Sequence, residues 1–338
     1  MSKSPIAFTI KKMGTAFNFT IHSNNYQDEW IEEIESLIEK LEQSWSRFRT
    51  NSELALLNQN RYLKSPSEYF IKALDAAIKA QLETHGLFEP RILDALETLG
   101  YDRSFEKIQP HIQTTDTHSS TDLPAIQGDI AISNEQISIR SNSRLDFGGI
   151  GKCLALEEVS DWIMRHDRDS TFLMEAGGDI VGRSSLDLPC WYVAIEDPNT
   201  NQPLSFWIRI ANSAIATSSP SIRNWKNGEA TKHHLIDPKT MDSSQSDLAS
   251  VTVVGDVAST CEVWSKSLFL MGKEAAIGFA QDNKIAAVFI DRKSNIATSP
   301  AFDRYIEVRG ESSSIANKAD HLDLSSPMSS FIFVHFVH

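Results

Sequence analysis

The sequence of 338 residues lacks the features that mark several large classes of protein. Its three cysteines, Cys153, Cys190 and Cys261, are widely spaced and odd in number. They fit neither a disulfide framework nor a zinc ligand set, so we expect them to be small buried apolar side chains. No stretch approaches the ~20 apolar residues of a membrane helix. The first residues, MSKSPIAFTIKKMG, lack a signal-peptide core and a lipid-attachment cysteine. We therefore expect a cytoplasmic protein.

The chain also has no excess of positive charge. Its formal net charge is −13 and its pI is near 5.2. This balance argues against a surface that binds nucleic acid or inserts into an anionic membrane. Any phosphate site on this acidic protein must therefore be a local basic pocket.

Hydrophobic residues make up 41% of the chain, enough for one large core or two coupled ones. Their spacing predicts a mixed α/β fold without the regular strand–helix alternation of a doubly wound sheet. Helices are expected at Gln27–Phe48, Ser65–His85, Gly151–His166, Ala258–Met271 and Lys273–Asp282. Strands are expected at Thr15–His22, Ile130–Ile139, Phe172–Met174, Trp191–Ile195, Leu204–Ile210, Ala214–Thr217, His234–Ile236, Ser250–Val254 and Ala286–Ile290. Ser65 and Glu68 have the spacing of a helix capping box, and the polar segment Gln113–Asp122 is typical of a surface loop.

The run Leu145–Lys152, LDFGGIGK, is the most informative stretch of the chain. It reads as a strand-to-helix turn with glycines at the helix N-terminus, where unpaired backbone N–H groups and the helix dipole favour an anion. Lys152 adds a mobile positive charge. Such a turn is also common as a purely structural element. Other segments of the sequence are therefore needed to distinguish a phosphate site from a structural turn.

Eight further segments stand in a definite order around this run. They are MGT at Met13, SRFRTNSELALLN at Ser46–Asn58, GLFEPRILDALETLGYD at Gly86–Asp102, EAGGDIVG at Glu175–Gly182, AIATSS at Ala214–Ser219, HHLIDPKT at His233–Thr240, and SVTVVG with CEVWSKSLFLMG at Ser250–Gly272. Together with LDFGGIGK they resemble the ApbE-type FAD:protein FMN transferases, from Met13 to about Arg309.

The resemblance implies a single two-lobed α/β flavin-transferase domain over 13–309, with FAD held in a cleft between the lobes. Residues 1–12 are then an N-terminal lead-in, and 310–338 form a serine-rich tail that we expect to be partly disordered. The implied reaction attaches FMN, taken from FAD, to a Thr or Ser of a target flavoprotein and releases AMP.

The resemblance also implies the residues that contact FAD. They are Met13, Phe48, Leu87, Phe88, Glu89, Asp146, Lys152 and Ile236. Some of these positions have ordinary structural alternatives: core packing for Met13 and Phe48, a turn anchored by Phe88 and Pro90, and a helix cap for Asp146.

His234 is the candidate base for the target hydroxyl, since the unperturbed pKa of histidine lies near neutrality. The adjacent His233 is an alternative.

Two differences from the family pattern concern turns: Met241 replaces a glycine after the Asp-Pro segment, and Ser219-Pro220 replaces a Ser-Gly-Asp turn. Because a non-glycine residue avoids positive φ, we expect that loop to be reshaped.

The family binds Mg²⁺ through a backbone carbonyl at the position of Gly149 and through an aspartate and a threonine spaced four residues apart. Here those two positions are Glu262 and Lys266. An ammonium does not ligate a cation and repels Mg²⁺. Two interpretations remain open: a helix-surface ion pair between residues i and i+4, or an ammonium in the place of the metal.

Three functions therefore remain open. The first is protein flavinylation. The second is FAD binding without catalysis, as a flavin carrier or assembly factor, which Glu262, Lys266 and Met241 favour. The third is hydrolysis of FAD to FMN and AMP, with water as the acceptor.

Overall fold

The computed structural model describes residues 5–108, 123–133, 135–184 and 191–309. Its strands are, in chain order, β1 (Ile6–Lys12), β2 (Thr15–His22), β3 (Tyr62–Lys64), β4 (Ile130–Ile132), β5 (Gln136–Ile139), β6 (Thr171–Ala176), β7 (Asp179–Arg183), β8 (Trp191–Asp197), β9 (Gln202–Ile210), β10 (Ser213–Ser218), β11 (Asn224–Asn227), β12 (Ala230–His233), β13 (Ile236–Asp237), β14 (Asp242–Ser243), β15 (Leu248–Gly255), β16 (Ala286–Asp291), β17 (Ile296–Thr298) and β18 (Ile306–Arg309).

The helices alternate irregularly with these strands. They are α1 (Glu29–Trp45), α2 (Glu53–Asn60), α3 (Glu68–Glu83), α4 (Leu93–Thr98), α5 (Ile126–Asp129), α6 (Gly151–His166), α7 (Ala258–Met271) and α8 (Lys273–Asp282). Two short 3-10 helices lie at Phe105–Lys107 and Pro300–Tyr305.

An eight-stranded antiparallel sheet forms the centre of the molecule, in the order β1-β2-β6-β7-β10-β15-β16-β17. Its strands bury both faces. In β16, Ala287 and Phe289 belong to the core under the helices, whereas Val288 and Ile290 belong to a second core shared with β8 and β9. A strand covered on both sides has an unbroken apolar sequence, and β16 reads AAVFI over its first five residues.

A third, smaller core defines the second lobe. It contains Leu96, Leu99 and Tyr101 from α4 and the residues after it, together with Trp225, Ile236 and Met241 from β11 to β14 and the turn between β13 and β14. The indole N–H of Trp225 donates to the carbonyl of Leu99 at 2.6 Å, which joins the two segments. A cleft separates this lobe from the N-terminus of α6 and the end of α1.

The predicted mixed α/β, non-doubly-wound fold is confirmed, and the helices Gly151–His166, Ala258–Met271 and Lys273–Asp282 are found with the predicted bounds. Cys153 and Cys261 are buried free thiols, as expected. Cys190, the loop Gln113–Asp122 and the tail 310–338 lie outside the described residues.

Other local predictions are wrong. The lead-in 1–12 contains β1, which pairs with β2 along the sheet edge, so the domain starts before residue 13. The capping box at Ser65 does not form, because Ser67 caps α3 by accepting from the Phe70 N–H at 3.1 Å. The predicted strand Ile130–Ile139 is two strands, β4 and β5. His234 lies between β12 and β13 rather than in a strand, and Leu145 enters the glycine turn from a coil.

No helix within the described ranges has both the length and the apolar character that a bilayer crossing requires.

Candidate active site

The cleft between the lobes has a volume of about 220 Å³ and a small side pocket. Met13, Phe48, Asp146, Gly149, Lys152 and His234 line the main cleft. Leu87, Phe88, Glu89 and Ile236 line the side pocket, which shares Asp146, Gly149, His234 and Lys266 with the main cleft. The structure thus brings together residues from distant parts of the chain that the sequence singled out. Their roles toward a ligand stay predictions.

Asp146 is held at the rim of the glycine turn by two partners. Its Oδ1 accepts from the Gly148 N–H at 2.8 Å, and its Oδ2 lies 3.0 Å from Nε of Arg47. A Cβ on Gly148 would lie 2.8 Å from Oδ1, so a glycine is required for this close turn. Asp146 is therefore a fixed carboxylate facing the cleft, 7% exposed, and not a helix cap, because α6 begins five residues later.

Arg47 is a site residue that the sequence analysis did not identify. Its guanidinium stacks between the rings of Phe48 and Tyr101, 4.3 and 4.4 Å from their centroids, and donates to the Tyr101 carbonyl at 2.8 Å. The pair with Asp146 is almost fully buried, with 6% and 7% of the side chains exposed. The sequence feature that could have identified it is its position in the SRFR segment, directly before Phe48, which was predicted to contact the ligand.

The aromatic end of the cleft consists of Phe48, Leu96, Tyr101 and Phe105. The core-packing alternative for Phe48 is wrong, because α1 ends at Trp45 and the Phe48 side chain is 44% exposed. Its ring lies 6.2 Å from that of Tyr101, centroid to centroid. An exposed ring at the mouth of a cleft is available to stack on a planar ligand.

Met13 lines the cleft from a turn in which its backbone conformation is unfavourable. Met13 and Gly14 form the two-residue loop between β1 and β2, with φ values of 54° and 65°. Positive φ at both positions is the signature of a type I′ turn, which favours Asn-Gly. The Met13 Cε lies 3.6 Å from the Cβ position of Gly151, so the thioether covers the first turn of α6. Retaining methionine at a strained position beside a cleft is consistent with a ligand-contacting role.

Glu89 has its carboxylate fully engaged inside the protein. Both oxygens bind the buried Arg91, at 2.8 Å to Nε and 2.9 Å to NH2, and Arg91 also reaches Asp129 at 2.9 Å. A predicted contact of Glu89 with FAD would therefore use its backbone. Phe88, buried beside it, lies 3.3 Å from the Cβ position of Gly149 and anchors the same turn.

At the charged end, Lys152, Arg223 and Lys266 line the cleft, and the acids Asp179 and Glu262 lie beside the two lysines. Lys152 Nζ lies 3.7 Å from Asp179 Oδ2, and Lys266 Nζ contacts Glu262 Oε1 one helical turn away on α7. The side chains of these four residues are between 4% and 16% exposed. The surface-pair interpretation of Glu262 and Lys266 is therefore wrong: the pair is internal, and Lys266 lines the cleft.

Burial and neighbouring charges set the protonation of these groups. Burial and the Glu262 carboxylate raise the pKa of Asp179 to about 7. Burial opposes ionisation of Glu262, but Lys266 and Lys152 hold its pKa below the usual value. Burial likewise opposes the charge on Lys152, but Asp179 and Glu262 keep its pKa above the usual value. The Lys152 ammonium is thus charged at neutral pH.

His234 lies at the junction of the two pockets. Its Nδ1 is 3.3 Å from the carbonyl of Arg223, which only accepts hydrogen bonds, so the ring proton of the neutral imidazole belongs on Nδ1. Burial, with Arg223 and Lys266 nearby, lowers the pKa of His234 well below 6.5. The imidazole is therefore neutral at physiological pH and has an unshared pair on Nε2.

His233 has a structural arrangement instead. Its Nε2 lies 3.0 Å from the Ser244 carbonyl, and its Nδ1 accepts from the Leu235 N–H. Both ring nitrogens are occupied, and His233 does not line the cleft. This favours His234 of the two adjacent histidines as the base.

The residues at the predicted metal site do not fit Mg²⁺. Among the described residues, one cluster of three metal-ligating side chains is present, Cys153, Asp179 and Glu262, with ligand atoms within 4.8 Å of one another. Burial raises the pKa of Cys153 well above its usual value, so it is a neutral thiol, a soft group that Mg²⁺ does not favour. Each of the two acids already has a lysine beside it, and Lys266 packs against Gly149, the predicted carbonyl ligand.

The expectation that the Met241 loop is reshaped is also wrong. Met241 keeps a left-handed backbone, with φ of 52°, and is 7% exposed in the third core. Its side chain packs in the core that includes Ile236 and Trp225. Burial of the methionine offsets the strain that a glycine at this turn would avoid.

These features define a two-lobed mixed α/β domain with a ligand cleft that is aromatic at one end and charged at the other. The sequence model of the ApbE family matches residues 13–289, and the chain belongs to this family.

Curated relatives and solved structures agree with this assignment. The FAD:protein FMN transferase of Haemophilus influenzae is 25% identical and aligns over 90% of this chain and 92% of its own. That of Vibrio cholerae is 25% identical over 81% of each chain. The crystal structure of the ApbE protein of Thermotoga maritima matches with a TM-score of 0.80 at 19% identity, covering 90% of this chain and all of that one. At this identity the structural match shows the fold.

Proposed function

We propose that this protein is an FAD:protein FMN transferase, which attaches FMN from FAD to a Thr or Ser hydroxyl of a target flavoprotein and releases AMP. The observation that carries the proposal is a neutral His234, with Nε2 available, in the same cleft as three cations, Lys152, Arg223 and Lys266. The names of the curated relatives support the same activity.

The chain's residues would divide the work along the cleft. Phe48 and Met13 contact the flat rings of FAD, and the Arg47–Asp146 pair presents a fixed carboxylate for hydrogen bonding. The cations at the charged end contact the pyrophosphate. Phosphoryl transfer needs such positioning and charge neutralisation more than covalent help from the protein.

In the chemical step, the hydroxyl oxygen of the target attacks the phosphorus of the FMN half. His234 Nε2 accepts the hydroxyl proton, a new P–O bond forms, and the bond from this phosphorus to the bridging oxygen breaks. AMP leaves with that electron pair. A neutral imidazole is the required form of the base, and its low pKa keeps it in that form.

FAD binding without transfer is the second candidate, favoured by Lys266 at the position where the family has a metal ligand. Both activities are tested in one experiment. The purified protein is incubated with FAD and a cell extract that supplies acceptor proteins, and covalent flavin is detected by fluorescence after denaturing electrophoresis. AMP and FMN are measured by chromatography.

The outcomes separate the candidates. Protein-linked flavin with an equal amount of AMP supports the transferase. AMP with free FMN indicates hydrolysis, and tight FAD binding with neither product indicates a carrier. A protein that binds no FAD would refute all three.

A further inference from the structure

Four buried side chains of alternating charge lie at one wall of the cleft: Lys152 and Lys266 line the wall, and Asp179 and Glu262 lie behind them. Lys152 from α6 lies beside Asp179 of β7, and Lys266 of α7 contacts Glu262 of the same helix. Asp179 and Glu262 approach each other within 4.8 Å, which closes the arrangement. Each lysine therefore has its own acidic partner, and the two pairs are adjacent because the carboxyl groups of Asp179 and Glu262 lie close together.

Two glycines hold the lysine stems in place. A Cβ on Gly177 would lie 3.2 Å from Lys152 Cε, and a Cβ on Gly149 would lie 3.2 Å from Lys266 Cε. A larger residue at either glycine would displace the lysine. Lys266 lines both the main cleft and the side pocket, so its ammonium is fixed on the wall rather than free in solvent.

Arg223 makes the wall positive overall. It lines the same cleft as His234 and Lys152, and its backbone carbonyl lies 3.3 Å from Nδ1 of His234. Within the part of the chain that the structure describes, Arg223 has no carboxylate within ion-pair distance. The three basic side chains outnumber the two acidic ones, Asp179 and Glu262, and this balance favours a dianion rather than a further metal cation.

We propose that this wall binds the pyrophosphate dianion of FAD without a divalent cation, with the Lys266 ammonium supplying the charge that Mg²⁺ supplies elsewhere in the family. The inference rests on the proposed FAD site and specifies how that site neutralises its ligand. The Lys266 ammonium donates hydrogen bonds to non-bridging phosphate oxygens. At the same time it stays paired with the Glu262 carboxylate.

The test is the dissociation constant of FAD, measured by quenching of flavin fluorescence, in excess EDTA and in excess MgCl₂. We expect the wild-type protein to bind equally in both. Lys266→Met should weaken binding in EDTA roughly 10- to 100-fold, the range for a hydrogen bond to a charged group. Lys79→Met is the matched control, an exposed i,i+4 partner of Glu83 on α3, and should bind as wild type does.

A second variant keeps the test valid if Lys266→Met fails to fold. Glu262→Asp with Lys266→Thr restores the family's oxygen ligands, and we expect its FAD binding to become dependent on Mg²⁺. Wild-type binding that requires Mg²⁺ would overturn this inference and leave the proposed function standing. Lys266→Met binding as tightly as wild type in EDTA would do the same. Failure of the wild type to bind FAD in either buffer would refute the proposed function itself.

Discussion

The charged end and the aromatic end of the cleft are assembled in different ways. The charged end takes Lys152 from α6 and Lys266 from α7, with their acidic partners on β7 and α7, and Arg223 from the segment between β10 and β11. Each lysine contacts a carboxylate and packs against a glycine, whereas Arg223 has no carboxylate partner among the described residues. The aromatic end takes Phe48 from the segment after α1 and Tyr101 from the second lobe, and Phe48 is largely exposed. The comparison shows a buried, closely packed charged end, where the proposed function places the phosphates of FAD, and a more open aromatic end, where it places the ring systems.

The largest expected effect falls on His234, at the boundary of the two ends. His234→Gln should reduce the rate of FMN transfer by roughly 10²- to 10⁴-fold, the usual contribution of a general base, and leave FAD affinity almost unchanged. The measurement is the initial rate of AMP release beside an FAD titration. His233→Gln is the matched control and should lower stability with little effect on rate. The reverse pattern would assign the base to His233.

The Arg47–Asp146 pair links the aromatic end to the glycine turn, and breaking it should unfold the site. Arg47→Leu leaves a buried carboxylate without its partner, so we expect the free energy of unfolding to fall by about 3–5 kcal/mol. Urea denaturation measures the change. Arg49→Leu, two residues away and 30% exposed, should cost less than about 1 kcal/mol. Equal losses for both arginines would contradict a special role for Arg47.

The pH dependence of transfer tests the environment of the charged end. A base acts in its unprotonated form, and His234 has a pKa well below 6.5. Lowering the pH to about 5.5 protonates an ordinary histidine and removes about 90% of the active form. We expect much less loss here, with the acid limb of kcat/KM, which reports the ligand-free protein, below pH 6.5. An acid limb with an apparent pKa at or above 6.5 would show that the nearby cations do not lower the pKa of His234.

The helices of the charged end were predicted from sequence to the residue, because both have apolar residues at helical spacing and a glycine marks one end of each, Gly151 at the start of α6 and Gly272 after α7. The contacts between side chains inside the site were not predicted from the sequence. Arg47 meets Asp146 across 99 positions of sequence, and Asp179 meets Glu262 across 83, so both contacts depend on how the sheet and helices pack. Phe48 was ambiguous because helical spacing continues past Trp45, where the backbone leaves the helix.

At the aromatic end, Phe48→Ala should separate ligand binding from stability. Because the ring is 44% exposed, its removal should change the free energy of unfolding by less than about 0.5 kcal/mol. Loss of stacking on FAD should weaken binding about tenfold, within the ~1–3 kcal/mol measured for base–aromatic contacts. Tyr62→Ala, also exposed at 45% but outside the cleft, is the control. Unchanged FAD affinity in Phe48→Ala would remove this residue from the site.

The smallest effect is expected at Met13, where stability and binding should change in opposite directions. Both residues of the β1–β2 turn have positive φ, so Met13→Asn creates the Asn-Gly pair that a type I′ turn favours. We expect the protein to gain about 0.5–1 kcal/mol of stability, the usual gain from relieving a strained turn position. The same change removes the thioether over Gly151, and FAD affinity should fall a few-fold, as expected for one lost apolar contact. Thermal denaturation and FAD titration measure the two effects. A stabilised variant with unchanged FAD affinity would mean that Met13 is only a turn residue, because strain kept for ligand contact cannot be relieved without loss of binding.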